Sequence, residues 1–197
     1  MADILEARPD GRVADGSSRY LTFRLGGELF ALGILDITEI IEYRPLTEVP
    51  MMPAFIRGVL NLRGRVVPVV DLAARFGRGP TQVARRTGII IVETADTGGT
   101  DGDGGDRPGQ DFGIVVDAVN EVMHFGEDDI EPPPAFGAGI RSDFISGMAK
   151  RGGDFIIVLD VSQVLSVNEM VQLGRATVGT PADAESIGLP EQRVPGP

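Results

Sequence analysis

The chain has 197 residues, 42% of them apolar, enough to pack one ordinary domain or two small ones around a shared core. It contains no cysteine, which removes disulfides, thiolate metal sites and cysteine nucleophiles together. With 18 basic against 29 acidic residues and a net charge of −11, it argues against binding a phosphate backbone.

Residues 1–17 are polar, carry Pro9, Gly11 and Gly16, lack the basic-then-apolar order of a secretory signal, and read as a flexible leader. Tyr20 to Leu25 alternates, with Leu21, Phe23 and Leu25 on one face of a strand. Gly26-Gly27 turns the chain into Glu28 to Leu32, completing a hairpin. Ile34 to Tyr43 is ambiguous, because Ile34, Ile37 and Ile41 fit a helix while Ile37, Glu39 and Ile41 fit a strand. Pro45, Pro50 and Pro53 forbid a central strand after it. Val59 to Leu62 and Val66 to Val70 bracket Arg63-Gly64-Arg65 as a second hairpin. Asp71 then N-caps one short helix over Leu72 to Phe76, and Asp160 does the same before Ser162 to Leu165. Ile89 to Glu93 is a buried strand, followed by a Gly- and Asp-rich hairpin loop over 97–110. The loop's Asp101, Asp103 and Asp106 lack calcium-loop spacing, so no metal is expected. Phe112 to His124 is a strand pair or one bent strand, and Pro132-Pro133-Pro134 marks a rigid turn. Ser166 to Glu169 is a capping box opening a helix through Leu173, and 174–197 reads as a disordered tail.

One phrase occurs twice. Phe55-Ile56-Arg57-Gly58 recurs as Phe144-Ile145-Ser146-Gly147, Gly64 as Gly153, and Val67 to Leu72 as Ile156 to Val161, each 89 residues on. Upstream, Phe30, Ile37, Glu39 and Ile40 recur as Phe112, Val119, Glu121 and Val122, each 82 residues on. Constant register predicts two copies of one small β unit rather than two unrelated hairpins.

Catalytic chemistry is hard to find. The single histidine, His124, lies in the apolar run Val122 to Phe125 and reads as a strand-surface residue. The single lysine, Lys150, is followed by Arg151, so a phosphate loop fails. There is no G-x-S-x-G elbow and no dinucleotide fingerprint after a strand. The longest apolar stretches, such as Ile89 to Val92, are strand-sized and too short to cross a bilayer. A binding module without cofactor, metal, nucleic acid or membrane insertion is expected, located in the cytoplasm.

Tyr20 to Gly26, Phe30 to Ile40, Pro53 to Val59, Asn61 to Gly64, Val67 to Leu72, Gly113 to Val119 and Ile157 to Leu173 together resemble the CheW family of chemotaxis coupling proteins. The resemblance spans residues 18–173, between the leader and the tail. It implies an all-β fold of two intertwined five-stranded β-barrels with short helices, including one near the C-terminus. It implies a non-enzymatic adaptor that couples the cytoplasmic tips of methyl-accepting chemoreceptors to the regulatory domain of a CheA-type histidine kinase. Other CheW copies in rings, and recruitment to membrane-associated arrays, are further implications. A receptor-binding groove would include Ile37, Glu39, Arg63, Val119 and Val122, and Phe136 would serve the kinase or ring interface. On the residues alone, Ile37, Val119 and Val122 could equally be core, Arg63 a solvated turn, and Phe136 a loop residue folded back. An adaptor for a parallel chemosensory pathway, or a small-ligand barrel, are the competing readings.

Overall fold

Short apolar strands separated by glycine turns cannot bury both faces alone, and here they assemble into two sheets over a common core. The computed structural model describes residues 17–94, 110–133 and 141–166. In chain order the strands are β1 (Ser18–Leu25), β2 (Glu28–Gly33), β3 (Ile37–Glu42), β4 (Ile56–Leu62), β5 (Arg65–Asp71), β6 (Gly88–Thr94), β7 (Gln110–Val116), β8 (Ala118–Phe125), β9 (Ile130–Glu131), β10 (Ile145–Arg151) and β11 (Asp154–Leu159). Two one-turn helices follow β5 and β11: α1 (Leu72–Arg75) and α2 (Val161–Val164). The ambiguous stretch resolves into a 3-10 turn, Ile34–Asp36, followed by strand β3.

The first sheet has the order β8-β1-β2-β11-β10-β9 and the second β3-β6-β7-β5-β4. The fold is all-β, and among the described residues the two sheets hold six and five strands. No pair of named strands joins the two edges of either sheet. What approaches closure is a crossing of the chain just beyond each edge strand. Thr47, five residues past β3, bridges to Val59 on β4, and Glu131, past β8, pairs with Met148 on β10.

The repeat is exact in register. Ile56 faces Val70 as Ile145 faces Leu159; Leu62 faces Arg65 as Arg151 faces Asp154. The ladder shifts between Ile56 and Gly58, and again between Ile145 and Gly147. In each half the glycine lies under the crossing chain. A Cβ on Gly58 would fall well inside 3.0 Å of the Thr47 carbonyl oxygen, and one on Gly147 equally close to Ile130 Cγ2. Pro68 sits within β5 opposite Val59, whose N–H and C=O both bond to Thr47. Val59 therefore asks nothing of Pro68, which has no N–H to give.

Each sheet mixes the two repeats. β1 and β2 of the first copy lie with β8 to β11 of the second, while β6 and β7 of the second lie with β3 to β5 of the first. The parallel seams are β2 with β11 and β7 with β5. Phe112 to His124 is therefore two strands that never pair. Asp117 stands at the break, its N–H donating to Arg24 O at 3.0 Å and its Oδ2 accepting from Gly26 N at 2.7 Å. Those contacts hand the chain from the second sheet to the first.

The main core joins both sheets, with Phe23 and Phe30 from one meeting Ile90, Val92 and Ile114 from the other. Each sheet also encloses a smaller cluster: Leu60, Val67, Ile89 and Ile91 in the second, Ala31, Phe125, Ala149 and Ile156 in the first. β6 is thus buried on both faces, which explains its unbroken apolar run. Among the described residues no helix is long and apolar enough to cross a membrane.

Candidate functional site

β3 and β8 are repeat counterparts, and each is an outer strand of its sheet. Both carry the same irregularity. β3 slips against β6 between Ile37 and Glu39, and β1 slips against β8 between Leu21 and Phe23. A bulge re-aims the side chains beyond it. As a result Ile37 and Val119 turn partly into the main core, while Ile40 and Val122 stand out, each 44% exposed. The two strands approach one another over Gly88, where a Cβ would meet Val119 Cγ2 at 3.4 Å and the Ile41 carbonyl oxygen at 3.5 Å.

Of the five expected groove residues, the structure joins two directly. Arg63 Nη2 lies 3.0 Å from Glu39 Oε2, tying the tip of the β4–β5 hairpin to β3. The Arg63 side chain is 77% exposed and that of Glu39 28%. Glu39 Oε2 itself is shielded from water and receives no well-aligned hydrogen bond, so the contact is a charge pair rather than a linear N–H···O bond. Ile37 and Val119 share the core margin, and Val122 lies further along β8 opposite Leu21. Ile40 was not in the expected set. The 82-residue offset that links it to Val122 was the signal for it.

Arg63 has a left-handed backbone, φ 54°. Its repeat counterpart, 89 residues on, is Gly152, at φ 60°. The turn therefore suits glycine, and the first copy holds an arginine there at a conformational cost of about 1–2 kcal/mol. Asn61 secures the turn, its Oδ1 accepting from Gly64 N at 2.8 Å. The counterpart of Glu39 is Glu121, which has no arginine facing it from Gly152. Among the described residues the charge pair exists in one half alone, so the two repeat-equivalent strands β3 and β8 are not electrostatically alike.

The aspartates that end the equivalent strands are caps. Asp71 is fully buried, accepting from Ala73 N, Ala74 N, Thr81 N and Thr81 Oγ1, with Arg57 Nη1 at 3.6 Å. Asp160 accepts from Gln163 N at 3.1 Å and caps α2. His124 is an exposed residue of β8. Among the described residues two carboxyls depart from their ordinary range. Asp143, on the surface, is held low chiefly by a hydrogen bond from Arg141, and Asp36 is raised by burial and then by the charge of Asp160. Among the described residues no three His, Asp or Glu side chains group to hold a metal ion. Phe136, the 97–109 part of the Gly/Asp loop and the helix expected after Ser166 lie outside the described residues.

A CheW-like domain model matches residues 19–169. Chemotaxis protein CheW of Klebsiella aerogenes is 32% identical over 77% of this chain and 83% of its own. Chemotaxis protein CheW of Treponema pallidum is 27% identical over 82% and 89%. The crystal structure of scaffolding protein TtCheW from Thermoanaerobacter tengcongensis superposes with a TM-score of 0.65 at 37% identity, covering 76% of this chain and 88% of that one.

Proposed function

The chain belongs to the CheW family and is a scaffold of chemotaxis signalling; we propose that it couples the cytoplasmic tips of methyl-accepting receptors to a CheA-type histidine kinase. The receptor's helical hairpin lies along the strip between β3 and β8. Ile37, Ile40, Val119 and Val122 receive its apolar face, in the manner of a helix in a groove. Glu39 and Arg63 fix its register and polarity. The observation that carries this reading is the one-sided Glu39–Arg63 pair on an otherwise two-fold strip, because a passive core would have no use for an arginine in a glycine's backbone conformation.

The kinase's regulatory domain and further copies of the chain occupy other faces, with Phe136, which follows the run Pro132-Pro133-Pro134 in the sequence, as an aromatic anchor. The scaffold works in the cytoplasm, at receptor arrays, by holding partners together rather than by turning over a substrate. The test is calorimetric binding of the full chain to a receptor signalling fragment and to a kinase regulatory domain. Both bind; Glu39→Lys weakens the receptor contact and leaves the kinase contact and the circular dichroism spectrum unchanged. No binding to either partner ends the proposal.

A further inference from the structure

At one end of the β3–β8 strip the start of β1 and the 3-10 turn before β3 line an open cleft of about 200 Å³, walled by Ser18, Arg19, Tyr20, Gly33, Ile34, Leu35 and Asp36. Its position follows from the sheet register. Arg19 faces His124 across the β1–β8 ladder, two residues along from the Leu21–Val122 pair. Asp36 immediately precedes Ile37. Through Asp36, which adjoins Ile37, the cleft lies next to the strip assigned above to the receptor.

Its chemistry is unbalanced. The Nε of Arg19 is shielded from solvent and has no hydrogen-bond partner. Leaving such a donor unmatched costs about 1–3 kcal/mol, more for a charged group. The neighbouring acid does not relieve it, since no ion pair joins Arg19 to Asp36 among the described residues. Asp36 is exposed along one edge, yet its carboxyl is driven toward the neutral form, first by burial and then by Asp160. An arginine Nε–H without an acceptor, in a cleft of this size beside Ile34 and Leu35, suits one planar carboxylate.

We infer that this cavity receives an acidic side chain of the docked receptor helix, with the Arg19 guanidinium as its partner. This rests on the receptor reading of the strip. The guanidinium and the Glu39–Arg63 pair then hold the helix at two separated points, fixing both its direction and its axial position.

The experiment measures binding of a receptor signalling fragment to the full chain and to Arg19→Gln, Arg19→Lys and Glu39→Lys, and to fragments with each acid changed singly to its amide. Arg19→Gln is expected to lower affinity about tenfold or more, as fits the loss of a charge-assisted contact. Arg19→Lys, which keeps the charge but not the planar fork, is expected to fall between. One acid-to-amide change in the fragment should cost as much as Arg19→Gln and nothing further in combination with it. The Arg19 Nε–H resonance should shift on adding the unmodified fragment and stay in place with that amide variant. Urea midpoints of all variants confirm that each remains folded.

Wild-type affinity in Arg19→Gln, or independence from every acid of the fragment, overturns the inference. So does displacement of the resonance by acetate at concentrations that leave fragment binding intact, which would make the cavity a small-carboxylate site. Two failures are separable. If the wild-type chain ignores the fragment, the receptor reading falls and takes the occupant with it. If Glu39→Lys abolishes binding while Arg19→Gln does not, only the role of the cavity falls.

Discussion

Replacing Arg63 by glycine separates the work of the groove from the stability of the fold. Three terms act on stability. Glycine relieves a left-handed backbone, φ 54°, that costs a residue with a Cβ about 1–2 kcal/mol. The freer unfolded chain takes back about 0.5–1 kcal/mol. Loss of the ion pair to Glu39, whose arginine is 77% exposed, removes about 0–1 kcal/mol more. These offset one another to within about 1 kcal/mol. With a urea slope of about 2 kcal/mol per molar, the midpoint should therefore move by less than about 0.5 M. Binding to the proposed receptor partner should behave differently. A charge-assisted contact of about 1.5–3 kcal/mol corresponds to a loss of roughly tenfold to a hundredfold. The assays are urea unfolding followed by circular dichroism and titration against a receptor signalling fragment. A destabilisation above about 2 kcal/mol would make Arg63 a structural residue, and unchanged affinity would remove it from the groove. The converse change, Gly152→Arg, places a second arginine opposite Glu121 and should blur the groove's direction without creating a second strong site.

Three further outcomes follow from the repeat and the burial. Asp71→Ala strands Thr81 and two helix N–H groups in a buried site, removes the carboxylate facing Arg57, and should cost about 3–5 kcal/mol, whereas Asp160→Ala, losing one cap bond, should cost about 1 kcal/mol; equal urea shifts would refute the difference in burial. Gly147→Ala drives a Cβ into Ile130 under the β9 crossing and should lower the thermal midpoint clearly more than Gly64→Ala, which meets open space and carries only the strain of φ 86°; the reverse ranking in scanning calorimetry would refute the role given to the crossing. Asp36 has its pKa raised on folding, so the folded state binds that proton more tightly and stability declines as pH rises above the ordinary 3.8 through the folded value. Asp36→Asn should therefore be more stable than wild type near pH 7, with the gap closing below pH 3.8, in urea titrations across that range.

Much of this was legible in the sequence because it was local. The hairpins around Gly64 and Gly153 declare themselves by alternation and turn residues, and a constant offset of 89 fixes their equivalence. Asp71 and Asp160 announce caps because an acid stands where an alternating pattern ends. The strand exchange was not legible residue by residue. The seams β2 with β11 and β7 with β5 join segments far apart in the chain, and an apolar strand carries no label for its neighbour. Phe112 to His124 looked like one bent strand or a pair for the same reason, since only the partners of Asp117 show that the chain changes sheets there. At the site, Glu39 and Arg63 were legible as opposite charges, but the strain at Arg63 appears only when its φ is set beside that of Gly152. The Arg19 cavity depends on register between β1, β8 and the 3-10 turn, which no spacing in the sequence encodes.

Strand exchange also determines how the two halves can move. Since each sheet contains strands of both copies, the halves cannot separate without breaking ladder hydrogen bonds in both sheets at once. The copies meet where Arg75 lies between two repeat-equivalent rings, its guanidinium carbon 4.8 Å from the Phe55 centroid and 5.0 Å from that of Phe144. Its Nε donates to the carbonyl of Val164 at 3.4 Å, and Val164 is the counterpart of Arg75 itself, 89 residues on. The second copy holds a valine at that position, and the ring of Phe144 is shared instead with Arg141, whose guanidinium carbon lies 4.9 Å from its centroid. The cation between the two rings therefore comes from the first copy, and the matching position of the second supplies the carbonyl oxygen that accepts from it. The strip between β3 and β8 departs from symmetry at Arg63 and Gly152 for a different reason: there the mismatch faces outward and costs backbone strain, a cost that packing cannot explain and a partner of fixed polarity can.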